Sequence, residues 1–230
     1  MNMRLFLIRH GQTPGNVLGQ LDTIHPGPGL TDLGNRQAAA LPGALRHEPI
    51  DAIFASTLVR TQITARPLAV DRGLEIQVSG GLHEIEAGAL EGRSDRASIQ
   101  AYLETVFAWG ADDLGAVMPG GPDGHAFFAR FDADIEAATT GAESVAVFSH
   151  GAAIRVWTAA RARNVTSVFA GTTELANTGM VELTGSADEG WTLVSWAGLP
   201  AGGSPLLDDS ADDPMGEALG QVLGGTGAVS

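Results

Sequence analysis

The 230-residue chain sets two histidines in closely matching surroundings: His10 in Leu7-Ile8-Arg9-His10-Gly11 and His150 in Phe148-Ser149-His150-Gly151. Each follows an apolar run and precedes a glycine, Gly11 or Gly151, whose missing β-carbon lets backbone approach a ligand closely. Arg9 adjoins the first histidine, and Arg60 lies in Ser56-Thr-Leu-Val-Arg60, near the expected start of a helix. Two imidazoles, two guanidiniums and helix N-termini suit a dianion with a nucleophile beside it. A phosphoryl group fits better than a carboxylate. Its loose transition state mainly needs charge around the equatorial oxygens, which planar, bidentate guanidiniums supply. A lone histidine is usually a buried, hydrogen-bonded residue, but two at matching strand ends argue against that. His25, His47 and His125 have no such setting and read as polar surface residues, with the His25 loop leading toward the site.

These side chains need a frame. Apolar runs at Leu5–Ile8, Ile50–Ala55, Leu74–Val78, Ser144–Ser149, Met180–Leu183 and Trp191–Trp196 read as strands. Thr31 is a candidate cap for a helix through about Arg46 that Pro42 should kink or end near Leu41, and Ser56 for one running toward Pro67. Ile99, Tyr102, Leu103, Val106 and Phe107 share one helix face. Asp123 suits the start of another helix, and Gly151 to Arg163 reads as the helix after the Ser149 strand. The alternation predicts an α/β fold, a doubly wound, mostly parallel sheet with helices on both faces. A helical insertion at about 92–121 interrupts it over the site, where Phe107 and Trp109 are expected to cover an apolar or sugar portion of a substrate. In such sheets ligands bind at the carboxyl ends of strands, where both histidines lie.

With these elements in order, the sequence resembles the histidine phosphatase superfamily, the phosphoglycerate mutase-like family, from about Met3 to Leu183. The resemblance rests on RHGQTPGN at 9–16, LTDLGNRQA at 30–38, ASTLVRTQITA at 55–65, LHEIEAGALEG at 82–92 and SHG at 149–151. It implies that His10 becomes phosphohistidine, that Arg9 and Arg60 clamp the phosphate, and that His150 is a further ligand. It also implies that Glu84 is the proton donor and that Asn16 and the Gly11 backbone position the phosphate, with Gly151 beside them. Glu86 and Glu91 compete with Glu84 for the acid's place. The chain departs from the family pattern at several points. The loop IHPGPG before Leu30 is long, Leu90 stands where an aromatic is common, and Gly120-Gly121-Pro122-Asp123 replaces Gly-Gly-Glu-Ser. The arginine-rich segment of cofactor-dependent mutases is absent, leaving Arg93 and Arg96 as nearby rim cations, partly offset by Glu91 and Asp95.

Composition narrows the function further. Hydrophobic residues make up 44% and charged residues 17%, which excludes wholesale disorder. With no cysteine there is no disulfide framework and no thiolate site, and no metal-ligand spacing such as HExxH occurs. Neither a metal nor a cofactor is expected. The 13 bases are all arginine against 27 acids, a net charge of −14 that disfavours nucleic acid and anionic membranes as partners. No apolar run reaches membrane-span length, so a soluble, cytoplasmic protein is expected. Residues 1–199 read as the catalytic domain. Residues 200–230 read as an acidic Gly/Ala/Asp-rich tail whose composition favours disorder, the alternative being a short helix from Met215 to Leu223 docked on the body or on a second subunit of a homodimer. The reading is a metal-independent phosphomonoesterase for a small phosphorylated metabolite. The alternatives are a phosphoglycerate mutase-type isomerase and a non-catalytic phospho-ligand binding module.

Overall fold

The computed structural model describes residues 3–224 except 209 and 212. Six strands form one sheet: β1 (Met3–Arg9), β2 (Ala52–Ser56), β3 (Ile76–Ser79), β4 (Ser144–Ser149), β5 (Met180–Ser186) and β6 (Gly190–Ala197). Their order is β3-β2-β4-β1-β5-β6; β1 to β4 run parallel, and β5 and β6 pair antiparallel at one side. The expected doubly wound, mostly parallel sheet is the observed one.

Alternation in the two central strands builds two cores. Leu5 and Leu7 of β1 face the same way as Val145 and Val147 of β4, into a cluster with Phe127, Phe131 and Trp157. Phe6, Ile8, Ala146 and Phe148 face the other way, against Leu41, Ala65 and Leu68. Strands buried on both faces must read as unbroken apolar runs, and these do.

Among the described residues eight α-helices flank the sheet: α1 (Pro14–Val17), α2 (Asp32–Ala44), α3 (Val59–Arg72), α4 (Arg96–Gly110), α5 (Gly124–Thr139), α6 (Gly151–Arg161), α7 (Ser167–Thr172) and α8 (Leu219–Gly224). Thr31 caps α2 and Asp123 caps α5, as their types suggest. Neither proline ends its helix, and α2 stops close to the expected Arg46. α2 continues past Pro42 to Ala44, and α3 passes Pro67 to reach Arg72. Beyond Pro67, Leu68 and Ala69 are buried in the second core, and Gly73 closes the helix in the left-handed conformation, φ 64°. Burying one leucine contributes about 1.5–3 kcal/mol, and with the glycine cap it offsets the ~3 kcal/mol cost of an internal proline. Ser56 is not a helix cap either; Leu58 holds that position without a side-chain bond.

The insertion is helical, as α4, but it does not offer its aromatic residues to the site. Trp109 is fully buried, stacked on Phe127 with its indole N–H donating to the Ala116 carbonyl (2.8 Å). Phe107 is covered by the Arg155 guanidinium. Both belong to the core because their helix face packs on α6 and α7. The tail also differs from its disordered reading over the described residues. It crosses back over the sheet's carboxyl end and reaches α8, which begins at Leu219 and rests on α4 and α7.

Candidate active site

The parallel strands deliver their carboxyl ends to one edge, and the chemistry collects there. Arg9 pairs with Ser149 in register, so His10 and His150 emerge side by side, ring centroids 5.2 Å apart. The adjacent β2 ends at Ser56, whose Oγ lies 2.8 Å from His150 Nε2. From there α3 begins, carrying Arg60 in its first turn. Arg9, His10, Asn16, Arg60 and Glu84 all line one cavity, together with Asp22, Thr23 and Met215.

Hydrogen bonds fix the state of His10. Its Nδ1 lies 2.8 Å from the Gly11 carbonyl, an acceptor only, so Nδ1 carries the proton and Nε2 keeps its lone pair. Burial holds its pKa well below the usual histidine value, with the Arg60 and Arg9 charges adding to the effect. The imidazole is therefore neutral at pH 7. His150 is lowered in the same way, by burial first and then by Arg60 and His10. Behind His10, Asn177 donates to its carbonyl (3.1 Å). Thr178, held at φ 59°, donates its N–H to the Arg9 and His10 carbonyls. A threonine rarely adopts that conformation. Here it secures the backbone under the His10 ring.

The arginines are buried and only partly satisfied. Arg9 donates through Nη1 to the Leu175 carbonyl (2.9 Å), while Arg60 donates through Nη2 to the Asp22 carbonyl (2.8 Å). Among the described residues, four buried donor or acceptor atoms here have no hydrogen-bond partner: Arg9 Nε, Arg60 Nε, Arg60 Nη1, which faces Asp22 Oδ1 at 3.7 Å, and His150 Nδ1. Unpaired buried polar groups are costly and therefore call for a function.

Of the three candidate acids, Glu84 alone lines this cavity. Its carboxylate accepts the N–H groups of Ile85 (2.9 Å), Ala152 (3.2 Å) and Ala153 (2.9 Å), the last two at the start of α6. Burial nonetheless raises its pKa, the hydrogen bonds and Arg60 opposing the shift without cancelling it. Glu86 turns away to His83 (3.1 Å) and Arg130 (3.2 Å). Glu91 accepts the N–H groups of Thr23 and Ile24 and so pins the loop that follows Asp22.

The two glycines are placed differently from expectation. The Gly11 N–H donates to Thr64 Oγ1 (2.9 Å), so it is not free for a phosphate. A β-carbon at Gly11 would lie 2.7 Å from the Gly34 carbonyl oxygen, so this glycine serves close packing of β1 against α2. Gly151 is needed for a close approach, but to the tail: a β-carbon there would lie 2.5 Å from the Met215 carbonyl oxygen. His25, His47 and His125 are exposed, as their settings suggest.

Residues 5–198 match the histidine phosphatase superfamily (branch 1). The chain belongs to that family. It is 38% identical over 219 residues to the PE-PGRS family protein PE_PGRS11 of Mycobacterium tuberculosis, covering 86% of this chain and 37% of that one. It is 36% identical over 130 residues to the adenosylcobalamin/alpha-ribazole phosphatase of Salmonella typhimurium, covering 56% of this chain and 64% of that one. The chain thus spans about a third of the first relative's length and under two thirds of the second's. Among solved structures, a mycobacterial glucosyl-3-phosphoglycerate phosphatase superposes with a TM-score of 0.69 at 26% identity, covering 86% of this chain and 99% of that one. An Escherichia coli structure described as a putative alpha-ribazole-5'-P phosphatase gives 0.67, also at 26%, over 86% and 97% of the two chains.

Three contributors to this site carry little or no signal in the sequence. Ser56 holds His150 although its type suggested a helix cap, and the Asn177–Thr178 turn carries only a weak signal in Asn-Thr-Gly. Asp213 carries none; its carboxylate lies on Arg9, 204 residues away in the chain.

Proposed function

We propose that the chain is a phosphomonoesterase that hydrolyses a small phosphorylated metabolite through a phosphohistidine on His10. One observation carries the reading: buried atoms of Arg9, Arg60 and His150 that lack a hydrogen-bond partner are gathered beside a neutral imidazole whose proton sits on Nδ1. In the first step the His10 Nε2 lone pair attacks phosphorus and the ester P–O bond breaks. Glu84, raised toward its protonated form, gives its proton to the leaving oxygen. Arg9, Arg60 and His150 hold the equatorial oxygens as charge redistributes. In the second step water attacks phosphorus, Glu84 takes a water proton, the N–P bond breaks, and phosphate leaves with His10 restored. Relatives and structural neighbours named as phosphatases support this class of reaction.

The surroundings favour a substrate with a single anionic group. Beside the site lies a cavity of about 410 Å³ whose lining includes the carboxylates of Glu174 and Asp208. Arg93, a candidate rim cation, is ion-paired to Asp95 (2.8 Å). A bisphosphate or a phosphorylated acid would meet repulsion there, which disfavours a mutase. The test is phosphate release from a panel of metabolite monophosphates with EDTA present, followed by an alkaline quench with labelled substrate. Acid-labile label on His10, lost in His10→Ala, is expected. Label on another residue, or efficient 3-phosphoglycerate interconversion without phosphate release, would overturn the reading.

A further inference from the structure

We propose that Asp213–Gly216 is an autoinhibitory strap whose carboxylate occupies the substrate phosphate's place on Arg9 and Asn16. This rests on the phosphatase reading above. Asp213 meets Arg9 Nη2 with both oxygens, at 2.8 Å and 2.7 Å, and accepts from Asn16 Nδ2 at 3.1 Å. A carboxylate presents two oxygens to a guanidinium much as a phosphate does, but it cannot be transferred.

The strap is fitted to its seat. Its Met215 side chain is buried and lines the catalytic cavity, which retains only about 10 Å³. That is room for roughly one water, far less than a phosphoryl group. The Met215 carbonyl accepts from Arg155 Nη1 (3.2 Å), and the Gly216 carbonyl from the Leu175 N–H (2.8 Å). A β-carbon at Gly216 would overlap Arg9 Nη1, so only glycine passes there while Arg9 stays in place. On its other side, Asp213 and Gly216 line the 410 Å³ cavity. The strap is thus a wall between the two spaces, and its departure would join them. Beyond it Leu219 and Val222 of α8 pack against the main core. The segment lies outside the residues that match the family, 5–198.

A ligand that must displace the strap binds more weakly by the fraction of molecules that are open. Disrupting a charge-assisted contact of this kind should tighten anion binding roughly ten- to a hundredfold. The probe is inorganic phosphate, its binding followed by phosphorus NMR, with kcat/KM on a monoester measured alongside. Asp213→Asn weakens the anchor, whereas Gly216→Val expels the strap without any change of charge. Both variants are expected to bind phosphate more tightly and to raise kcat/KM. The cysteine-free chain also permits a lock: Gly171→Cys with Leu219→Cys, since a β-carbon at Gly171 lies 3.5 Å from Leu219 Cγ. The oxidised double variant should lose phosphate binding and recover it on reduction. Phosphate binding that is the same in the wild type, Gly216→Val and the oxidised lock overturns the strap while leaving the phosphatase reading intact. Phosphate binding absent from every form, including Gly216→Val, with no phosphohistidine, overturns both.

Discussion

Replacing Glu84 with Gln separates the chemistry of this site from its architecture. The carboxylate accepts two N–H groups on Oε1 and one on Oε2. Glutamine keeps the Oε1 pair but turns an amide N–H toward that of Ala152, at a cost of about 1–3 kcal/mol. Against this, the neutral amide is spared the desolvation that raises the Glu84 pKa. The opposed effects should leave Tm within a few degrees of wild type, at roughly 2–4 °C per kcal/mol for a chain of this size. Kinetics should respond far more strongly. A positioned acid contributes about 10²- to 10⁴-fold, equivalent to about 3–5 kcal/mol of barrier. An alkyl phosphate needs that proton in the transition state, whereas an aryl phosphate such as nitrophenyl phosphate leaves with little protonation. Measured as kcat/KM, Glu84→Gln should therefore slow alkyl substrates about 10²- to 10⁴-fold and the aryl substrate less than about tenfold. The sign of the pH dependence follows from the raised pKa. The acid must be protonated, so alkyl kcat/KM should fall as pH rises through the Glu84 pKa, a limb absent from the variant. Equal losses for both leaving groups would refute Glu84 as proton donor.

Other expectations concern the support around the site. Ser56→Ala removes the partner of His150 Nε2 and the acceptor of the Leu58 N–H; kcat/KM should fall about tenfold and stability by about 1–3 kcal/mol, read by denaturant titration. Asp132→Ala leaves the buried Trp157 indole N–H and Arg161 without their shared carboxylate; Tm should drop by roughly 2–12 °C in calorimetry. His10 and His150 have folded pKa values well below 6.5, so the unfolded chain binds more protons in acid. Their contribution is intact above pH 6.5 and is lost as pH falls from there toward the folded values, at about 1.4 kcal/mol per unit for each histidine. Unfolding free energies measured between pH 7 and 5 should show this decline, and His10→Gln should make it shallower.

Features that depend on neighbours in the chain are legible in the residues alone. Unbroken apolar runs around Leu7 and Val147 demand a two-sided parallel sheet, because a strand covered on both faces has no place for a polar residue. The Arg-His-Gly and Ser-His-Gly turns at the ends of β1 and β4 then put His10 and His150 on the same edge. Thr31 and Asp123 marked helix starts because a cap acts on N–H groups only two or three residues away. Features that depend on distant partners emerge only with the packed fold. The passage of α2 and α3 through Pro42 and Pro67 reflects helix faces that gain more from burial than one backbone bond supplies. Glu84 and Glu86 are two residues apart and chemically alike, and only the packing of α6 draws one inward while Arg130 holds the other outside. Trp109 and Phe107 read as substrate-facing until the packing of α4 on α6 and α7 turned them into core. Asp213 is the extreme case: an acid in a Gly- and Asp-rich tail reads as solvated. It becomes the partner of Arg9 only because the chain folds back across the sheet, a closure that no local pattern encodes.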